Sequence, residues 1–191
     1  RTKVKIQLVT YIDLLFPELQ YFFKSGIHGK ACYALLKEES NPDKIAKMHL
    51  TRLSNLLNKT SKGHFSKQTA IALKELASQS VGTKDDTLSL QILQSINQIE
   101  LYTSQLKEVE ASINEIMDNM DSVIKTIPGI GNLNGAMILG EIGDISRFEK
   151  PCQLLAYAGL DPSVYQSGNF NAPRTRMSKR GSKQLRYALI N

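Results

Sequence analysis

Residues 85–126 read DDTLSLQILQSINQIELYTSQLKEVEASINEIMDNMDSVIKT and contain neither Pro nor Gly. Apolar residues recur there at mostly three- and four-residue spacing, which places them on one helix face and is typical of a coiled-coil seam. The seam residues are Ile92, Ile96, Ile99, Leu106, Val109, Ile113, Ile116, Met120 and Val123. At ~1.5 Å per residue the helix would be about 60 Å long. One helix cannot bury such a stripe alone, so we expect it to pack on the preceding helices or on a second copy, with homodimerisation as its main task.

The residues before this helix carry shorter helical patterns. An apolar set recurs at helical spacing and is predicted to form a core face. Its members are Leu8, Ile12, Leu15, Phe16, Leu19, Phe22 and Phe23. Breaks are predicted at residues 24–26 and 40–43, and Ser66 is the expected N-cap of a helix over residues 67–77. The segment therefore predicts several short helices.

After the long helix, the sequence predicts a tight hairpin and another helix. Residues 127–131, IPGIG, interrupt the helical pattern, which resumes over residues 134–142. Backbone N–H groups of Gly129 and Gly131 at a helix start can face an anion, so a DNA phosphate is one predicted ligand. An ordinary αα-hairpin, whose glycines only permit the turn, explains the same spacing.

The last sixty residues complete a predicted fold that is mainly α. A short helix is expected over residues 151–159, and residues 163–166 and 175–177 have the character of two short strands around a loop that carries Ser167. Gly181 and Ser182 are expected to start the last helix, with Lys183 and Arg186 on one face. We predict a helical segment at 1–82, a coiled-coil helix at 83–126, and a C-terminal helix-hairpin-helix-like domain with a small β-hairpin at 127–191.

Residues 162–186 combine a candidate nucleophile with a cluster of cations. Gly168 permits a tight turn from which the Ser167 hydroxyl projects. Six cations follow with no acid among them: Arg174, Arg176, Lys179, Arg180, Lys183 and Arg186. A hydroxyl beside such a positive field suits chemistry on a phosphodiester. A polar turn followed by a solvated basic helix face is the alternative interpretation.

Composition favours a partner that is a polyanion. The net charge is +6, with a pI near 9.3. Side-chain counts give about +7 for residues 1–82, about −5 for 83–125 and about +4 for 126–191. Cys32 and Cys152 are too few for a disulfide framework, and His28 with Cys32 lacks a second ligand pair for zinc. We therefore expect a cytoplasmic protein with no membrane span and no metal site in this chain.

Three runs of sequence resemble one family. Residues 127–148 read IPGIGNLNGAMILGEIGDISRF, residues 153–170 read QLLAYAGLDPSVYQSGNF, and residues 174–190 read RTRMSKRGSKQLRYALI. They resemble the C-terminal transposase domain of the DEDD-type insertion-sequence recombinases, which are relatives of the Piv invertase and include the bridge-RNA-guided recombinases. The likeness extends back through the long helix to LLFPELQYFF at residues 14–23.

The resemblance implies the chemistry of the family. It places four acidic metal ligands in an N-terminal RuvC-like domain, expected upstream of Arg1, and it implies Mg²⁺ for the full-length protein. It assigns covalent attack on DNA to Ser167. The arginines and lysines after Ser167 are then expected to hold DNA phosphates, and a guide RNA is an implied partner. We expect this chain to be a fragment that is inactive by itself.

Three functions follow as hypotheses. The first is a DNA transposase or site-specific recombinase of an insertion sequence, with Ser167 as nucleophile. The second is a non-catalytic, helical module that binds nucleic acid and dimerises. The third is a structural coiled-coil adaptor, which leaves the C-terminal cations without a purpose. A covalent protein–DNA adduct separates the first hypothesis from the second, and absence of nucleic-acid binding would favour the third.

Overall fold

The computed structural model describes residues 1–83, 85–163, 166–167, 170–171 and 173–190. The chain divides into two compact units, Arg1–Leu106 and Lys107–Asn191. It is mainly α-helical, which confirms the predicted fold class. The three-segment division of the chain stays a prediction. None of the described helices combines the length and apolar character that crossing a membrane requires.

The first unit consists of short helices and the beginning of a long one. The helices are α1 Thr2–Leu15, α2 Leu19–Phe22, α3 Lys30–Glu38, α4 Pro42–Lys47, α5 Leu50–Thr60, α6 Lys67–Ser78 and α7 Asp86–Asn119. α4 begins at a proline, and the Asn41 side chain accepts a hydrogen bond from Asp43 N at 3.0 Å. Ser66 precedes α6 as expected, although its side chain makes no capping hydrogen bond.

The core of the first unit contains the predicted apolar face. Leu8, Ile12, Leu15, Phe16, Leu19 and Phe23 are buried, and Phe22 is half-buried. Ile92, Ile96 and Ile99 of α7 lie in the same core. The first half of the long apolar stripe therefore packs on preceding helices of its own chain, which was one of the two expected arrangements.

The rest of the stripe has a different environment. Leu106, Val109, Ile116 and Met120 are exposed, and Ile113 is half-buried. The helix also ends at Asn119, before the predicted end at Thr126. Lys125 Nζ donates to the Met117 carbonyl at 2.8 Å, close to the end of α7. The Ser122 hydroxyl accepts from Ile124 N at 3.3 Å, which starts a separate 3₁₀ turn.

The second unit encloses a smaller core. After the end of α7 it contains the 3₁₀ turn Val123–Thr126, α8 Asn132–Ile142, the 3₁₀ turn Ile145–Arg147, α9 Pro151–Ala158, β1 Gln166–Ser167, β2 Phe170–Asn171 and α10 Lys183–Ile190. Its buried residues are Ile138, Ile142, Ala158, Leu185 and Ala188. This core joins α8, α9 and α10, so the elements that flank the Ser167 hairpin are fixed to one another.

The predicted β-hairpin forms, but its strands were assigned wrongly. β1 pairs antiparallel with β2, and Ser167 lies opposite Phe170. Ser167 therefore belongs to a strand and not to the loop, and residues 175–177 are not the partner strand. Met177 instead forms an isolated bridge with Pro162 at the base of the hairpin. Pro173 lies between these pairings and has no N–H to donate to a strand ladder.

Candidate DNA-binding and nucleophile site

Two glycines bring the end of α9 against the start of α10. Gly159 ends α9 in the left-handed conformation, with φ 67° and ψ 33°. A Cβ added at Gly181 would lie 2.0 Å from the Tyr157 carbonyl oxygen, and one added at Gly159 would lie 2.6 Å from Gly181 N. No side chain fits at such distances. We call this backbone contact the glycine crossing.

Main-chain hydrogen bonds on both sides of the glycine crossing join residues 178–182 to residues 157–161. Ser182 N donates to Tyr157 O at 2.7 Å, and Lys179 N donates to Gly159 O at 3.0 Å. Lys179 itself has φ 55°, an uncommon conformation for a residue with a side chain. Ser178 N donates to Asp161 O at 2.8 Å. The backbone of the basic segment, residues 174–183, is thereby bonded to the chain that leads from α9 into the hairpin.

The basic segment presents its cations to solvent. Arg174, Arg176, Lys179, Arg180 and Lys183 are exposed. Among the described residues, no carboxylate forms an ion pair with any of these five. Clustered cations without local neutralisation attract phosphates strongly. The segment therefore has the electrostatic character of a phosphate-binding surface.

Arg186 differs from the other predicted DNA-binding cations. It is half-buried, and its Nη1 donates to the Ala158 carbonyl at 2.9 Å, at the end of α9. A guanidinium near a helix C-terminus also complements the helix dipole. Arg186 thus helps to fasten α10 to α9, and its role in DNA binding stays a prediction.

The serines of this region fall into two groups. Ser163 Oγ donates to Arg176 O at 2.7 Å, Ser178 Oγ to Asp161 Oδ1 at 2.5 Å, and Ser182 Oγ to Glu141 Oε2 at 2.7 Å. Ser167 is exposed on β1, and its hydroxyl has no hydrogen-bond partner among the described residues. The predicted turn at Gly168 lies outside those residues. Ser167 is thus the serine whose hydroxyl is accessible, while the other three stabilise the local fold.

A polar cavity of about 550 Å³ lies at the base of the hairpin. Asp161, Ser163, Ser178 and Arg180 contribute to its lining. The hydrogen bond between Ser178 and Asp161 was not predicted, because the two residues are distant in sequence and an Asp-Pro pair is common in turns. A serine bonded to a carboxylate also resembles an activated nucleophile, which makes Ser178 the natural rival to Ser167.

The predicted anion site at the start of α8 has an open backbone. Gly129 has φ 89°, and Gly131 is the N-cap of α8 without a side-chain capping bond. A Cβ added at either glycine would meet no atom within 4 Å. α8 starts at Asn132, two residues earlier than the predicted residue 134. Phosphate binding by Gly129 and Gly131 stays a prediction.

Metal binding has no visible basis in the described part of the chain. No three side chains of His, Cys, Asp or Glu converge there in an arrangement that holds a metal ion. The Mg²⁺ ligands that the family resemblance implies are expected in a RuvC-like domain and not among these residues, and that expectation stays a prediction.

Comparison with known proteins finds relatives of the second unit among transposases. Residues 121–191 match the family model described as Transposase IS116/IS110/IS902 family. A transposase for insertion sequence element IS1111A from Coxiella burnetii is 34% identical over 122 residues, which cover 61% of this chain and 32% of that protein. The pilin gene-inverting protein of Moraxella bovis is 36% identical over 96 residues, covering 50% of this chain and 29% of that protein.

A longer match extends the likeness into the first unit. The IS117 mini-circle protein of Streptomyces coelicolor is 28% identical over 181 residues, which cover 88% of this chain and 43% of that protein. The chain spans about a third of the length of the first two relatives. No solved structure matches it significantly.

The glycine crossing generates a stability prediction. Gly181→Ala places a methyl group against the Tyr157 carbonyl, so α9 and the basic segment must separate. We expect the free energy of unfolding to fall by about 3 kcal/mol, as for a severely overpacked site. Urea denaturation followed by circular dichroism measures the change.

Gly140 supplies the matched control. It lies within α8, and an added Cβ would meet no atom within 4 Å. Gly140→Ala should raise stability by about 0.5–1 kcal/mol, because alanine favours the helix. Equal effects of the two substitutions would contradict the tight contact at Gly181.

Proposed function

We propose that this chain, whose residues 121–191 match the IS116/IS110/IS902 transposase family model, is part of a DNA transposase or site-specific recombinase of an insertion sequence. One observation carries the proposal. Ser167 is exposed on a hairpin whose base is bonded to a segment with five exposed cations. The names of the Coxiella and Moraxella relatives, which refer to transposition and to gene inversion, support the same class of reaction.

The proposed step is nucleophilic attack on a DNA phosphodiester. A bond forms between Ser167 Oγ and phosphorus while the bond from phosphorus to one deoxyribose oxygen breaks. The serine hydroxyl loses its proton, and the departing deoxyribose oxygen gains one. DNA is thereby held as a phosphoseryl ester, which conserves the phosphodiester energy for rejoining.

The cations of the basic segment stabilise this step. Negative charge accumulates on the oxygens around the attacked phosphorus, and fixed positive groups lower the energy of that state. Arg174 and Arg176 can hold phosphate oxygens with two N–H groups each. Arg180 contributes to the lining of the cavity at the hairpin base and adds charge there. Lys179 and Lys183 bind the backbone as point charges and position the strand.

Activation of the Ser167 hydroxyl requires a base or a metal ion, because a serine hydroxyl is a weak nucleophile at neutral pH. We propose that a RuvC-like domain of the complete protein supplies Mg²⁺, which would favour loss of the hydroxyl proton. Use of a guide RNA stays a prediction.

The proposal is tested by trapping the covalent intermediate. In a protein that also carries the RuvC-like domain, Ser167→Ala should abolish the protein–DNA adduct. DNA affinity should change less than twofold, since the substitution removes no positive charge. The adduct is measured by denaturing electrophoresis with labelled DNA ends, and affinity by fluorescence anisotropy. The isolated chain should bind DNA and form no adduct.

Ser178→Ala is the control for this experiment. It removes the hydroxyl bonded to Asp161, and we expect it to lower stability while the adduct still forms. An adduct that persists in the Ser167 variant, or that maps to Ser178, would assign attack to another serine. Failure of every full-length form to give an adduct would favour a non-catalytic binding module.

We also propose that the chain associates with a second copy through the end of α7. Val109, Ile113, Ile116 and Met120 follow the four-three-four spacing of a coiled-coil seam. Val109 and Ile116 are 56% and 59% exposed. An apolar cavity of about 430 Å³ is lined by residues that include Ile113 of α7 and Leu139 of α8. The same surface on a second copy has matching apolar character and closes the contact by two-fold symmetry.

Introducing charged residues into the apolar seam tests the dimer. Val109→Asp with Ile116→Asp should convert a dimer at tens of micromolar into a monomer, because each carboxylate would be desolvated in the contact. Both positions are exposed, so the monomer should remain folded. Sedimentation equilibrium measures the mass and circular dichroism the helix content. Val81→Asp, at an 83% exposed residue of the first unit, should leave the mass unchanged. A wild-type monomer at these concentrations would contradict the proposal.

A further inference from the structure

The first unit contains a cavity that the proposed chemistry does not use. Its volume is about 750 Å³. One side is formed by the end of α2 and the start of α3, with Phe22, Lys24 and Lys30. The other side is formed between α5 and α6, with His64 and Phe65. The cavity is thus built entirely within Arg1–Leu106.

The surroundings of this cavity are strongly basic. No acidic residue occurs between Glu18 and Glu38, or between Asp43 and Glu75. The second of these intervals carries the basic residues Lys44, Lys47, Arg52, Lys59, Lys62, Lys67 and Lys74. A solvated surface of mixed charge would carry acidic residues within a stretch of this length. The two acid-free intervals contribute the two sides of the cavity.

Some cations of this unit that lie away from the cavity form ion pairs. Lys37 pairs with Glu100 at 2.7 Å, and Lys44 pairs with Asp86 at 3.0 Å. Within the described residues, no carboxylate pairs with Lys24 or Lys30. Both lysines are exposed. Their charge is therefore available to an anion.

The cavity also has a rigid aromatic wall. Phe23 is buried and contacts both cavity aromatics edge-on. Its ring centroid lies 5.1 Å from that of Phe22 and 5.6 Å from that of Phe65. Phe22 and Phe65 are half-buried, so part of each ring remains accessible. Aromatic rings held in this way offer a stacking surface to a nucleobase.

Helix ends at the cavity also favour an anion. α3 begins at Lys30 and α6 begins at Lys67, and neither helix has a side-chain cap. Their first backbone N–H groups carry partial positive charge. α5 ends nearby with the opposite dipole, but its Leu57 and Asn58 carbonyls accept hydrogen bonds from Ser61 N and Gly63 N. The net electrostatic effect of the helix ends together with Lys24 and Lys30 at the cavity is positive.

We propose that this cavity binds an unpaired nucleotide of single-stranded DNA. The base contacts Phe22 and Phe65, and the adjoining phosphates contact Lys24 and Lys30. Further cations at Lys59, Lys62 and Lys67 are exposed, which extends the positive surface beyond the length of one nucleotide and favours a strand over a free nucleotide. The choice of DNA rests on the proposed function, in which DNA is the substrate.

Binding to defined oligonucleotides tests the site. A labelled 12-nucleotide thymidine strand should bind the chain more tightly than a duplex of equal length at the same salt. Lys24→Glu with Lys30→Glu should weaken single-strand binding at least about tenfold, because two phosphate contacts are lost and replaced by repulsion. Lys3→Glu with Lys47→Glu changes the charge equally at exposed residues outside the cavity, and should weaken binding less than threefold.

Crosslinking locates the bound base independently of charge. A strand that contains 5-iodouracil should crosslink to peptides that carry Phe22 or Phe65, and Phe22→Ala should reduce binding about fivefold or more. Circular dichroism checks that this variant remains folded. Crosslinks confined to residues 170–190, or an equal loss of single-strand binding in both lysine pairs, would overturn the proposal. Tighter binding of the uridine strand would reassign the site to RNA. These readouts do not depend on a Ser167 adduct.

Discussion

The contact between the backbones at Gly159 and Gly181 is the constraint on which the C-terminal unit depends. The end of α9 and the start of α10 meet at a distance that excludes any Cβ at Gly181. The basic segment runs between the hairpin and α10, and its backbone position is fixed by main-chain hydrogen bonds together with the hydroxyls of Ser178 and Ser182. Five cations of this segment are exposed, and no carboxylate of the described residues forms an ion pair with them.

One apolar stripe on α7 lies in two different environments. Ile92 and Ile96 are buried among helices of the first unit, and this burial stabilises the unit without a partner chain. Val109 and Ile116 continue the same spacing and remain exposed. Periodicity alone predicted the helix and its apolar face, because both depend on local geometry. It did not predict which half of the stripe is buried within the chain, since burial depends on which other elements approach.

Much of the remaining fold was also predictable from local signals. The breaks before α3 and α4, the end of α9 at Gly159 and the position of α8 follow from Gly, Pro and capping residues. The early end of α7 was missed because Lys125 and Ser122 act through side-chain hydrogen bonds to nearby backbone groups. At the candidate site, the cation cluster was visible in the sequence. The hydrogen bond of Ser178 with Asp161 and that of Arg186 with Ala158 were not, because each joins residues distant in sequence.

The salt dependence of duplex DNA binding tests most directly whether the basic segment is a phosphate-binding surface. Arg180→Glu with Lys183→Glu should weaken binding at least about tenfold for every sequence and reduce the magnitude of the log–log salt slope by about 2, as expected for two lost phosphate contacts. The exposed pair Lys3 and Lys47, reversed in the same way, controls for net charge. Unchanged affinity and slope in the Arg180 and Lys183 variant would show that these cations are a solvated surface and would contradict their role in holding DNA beside Ser167.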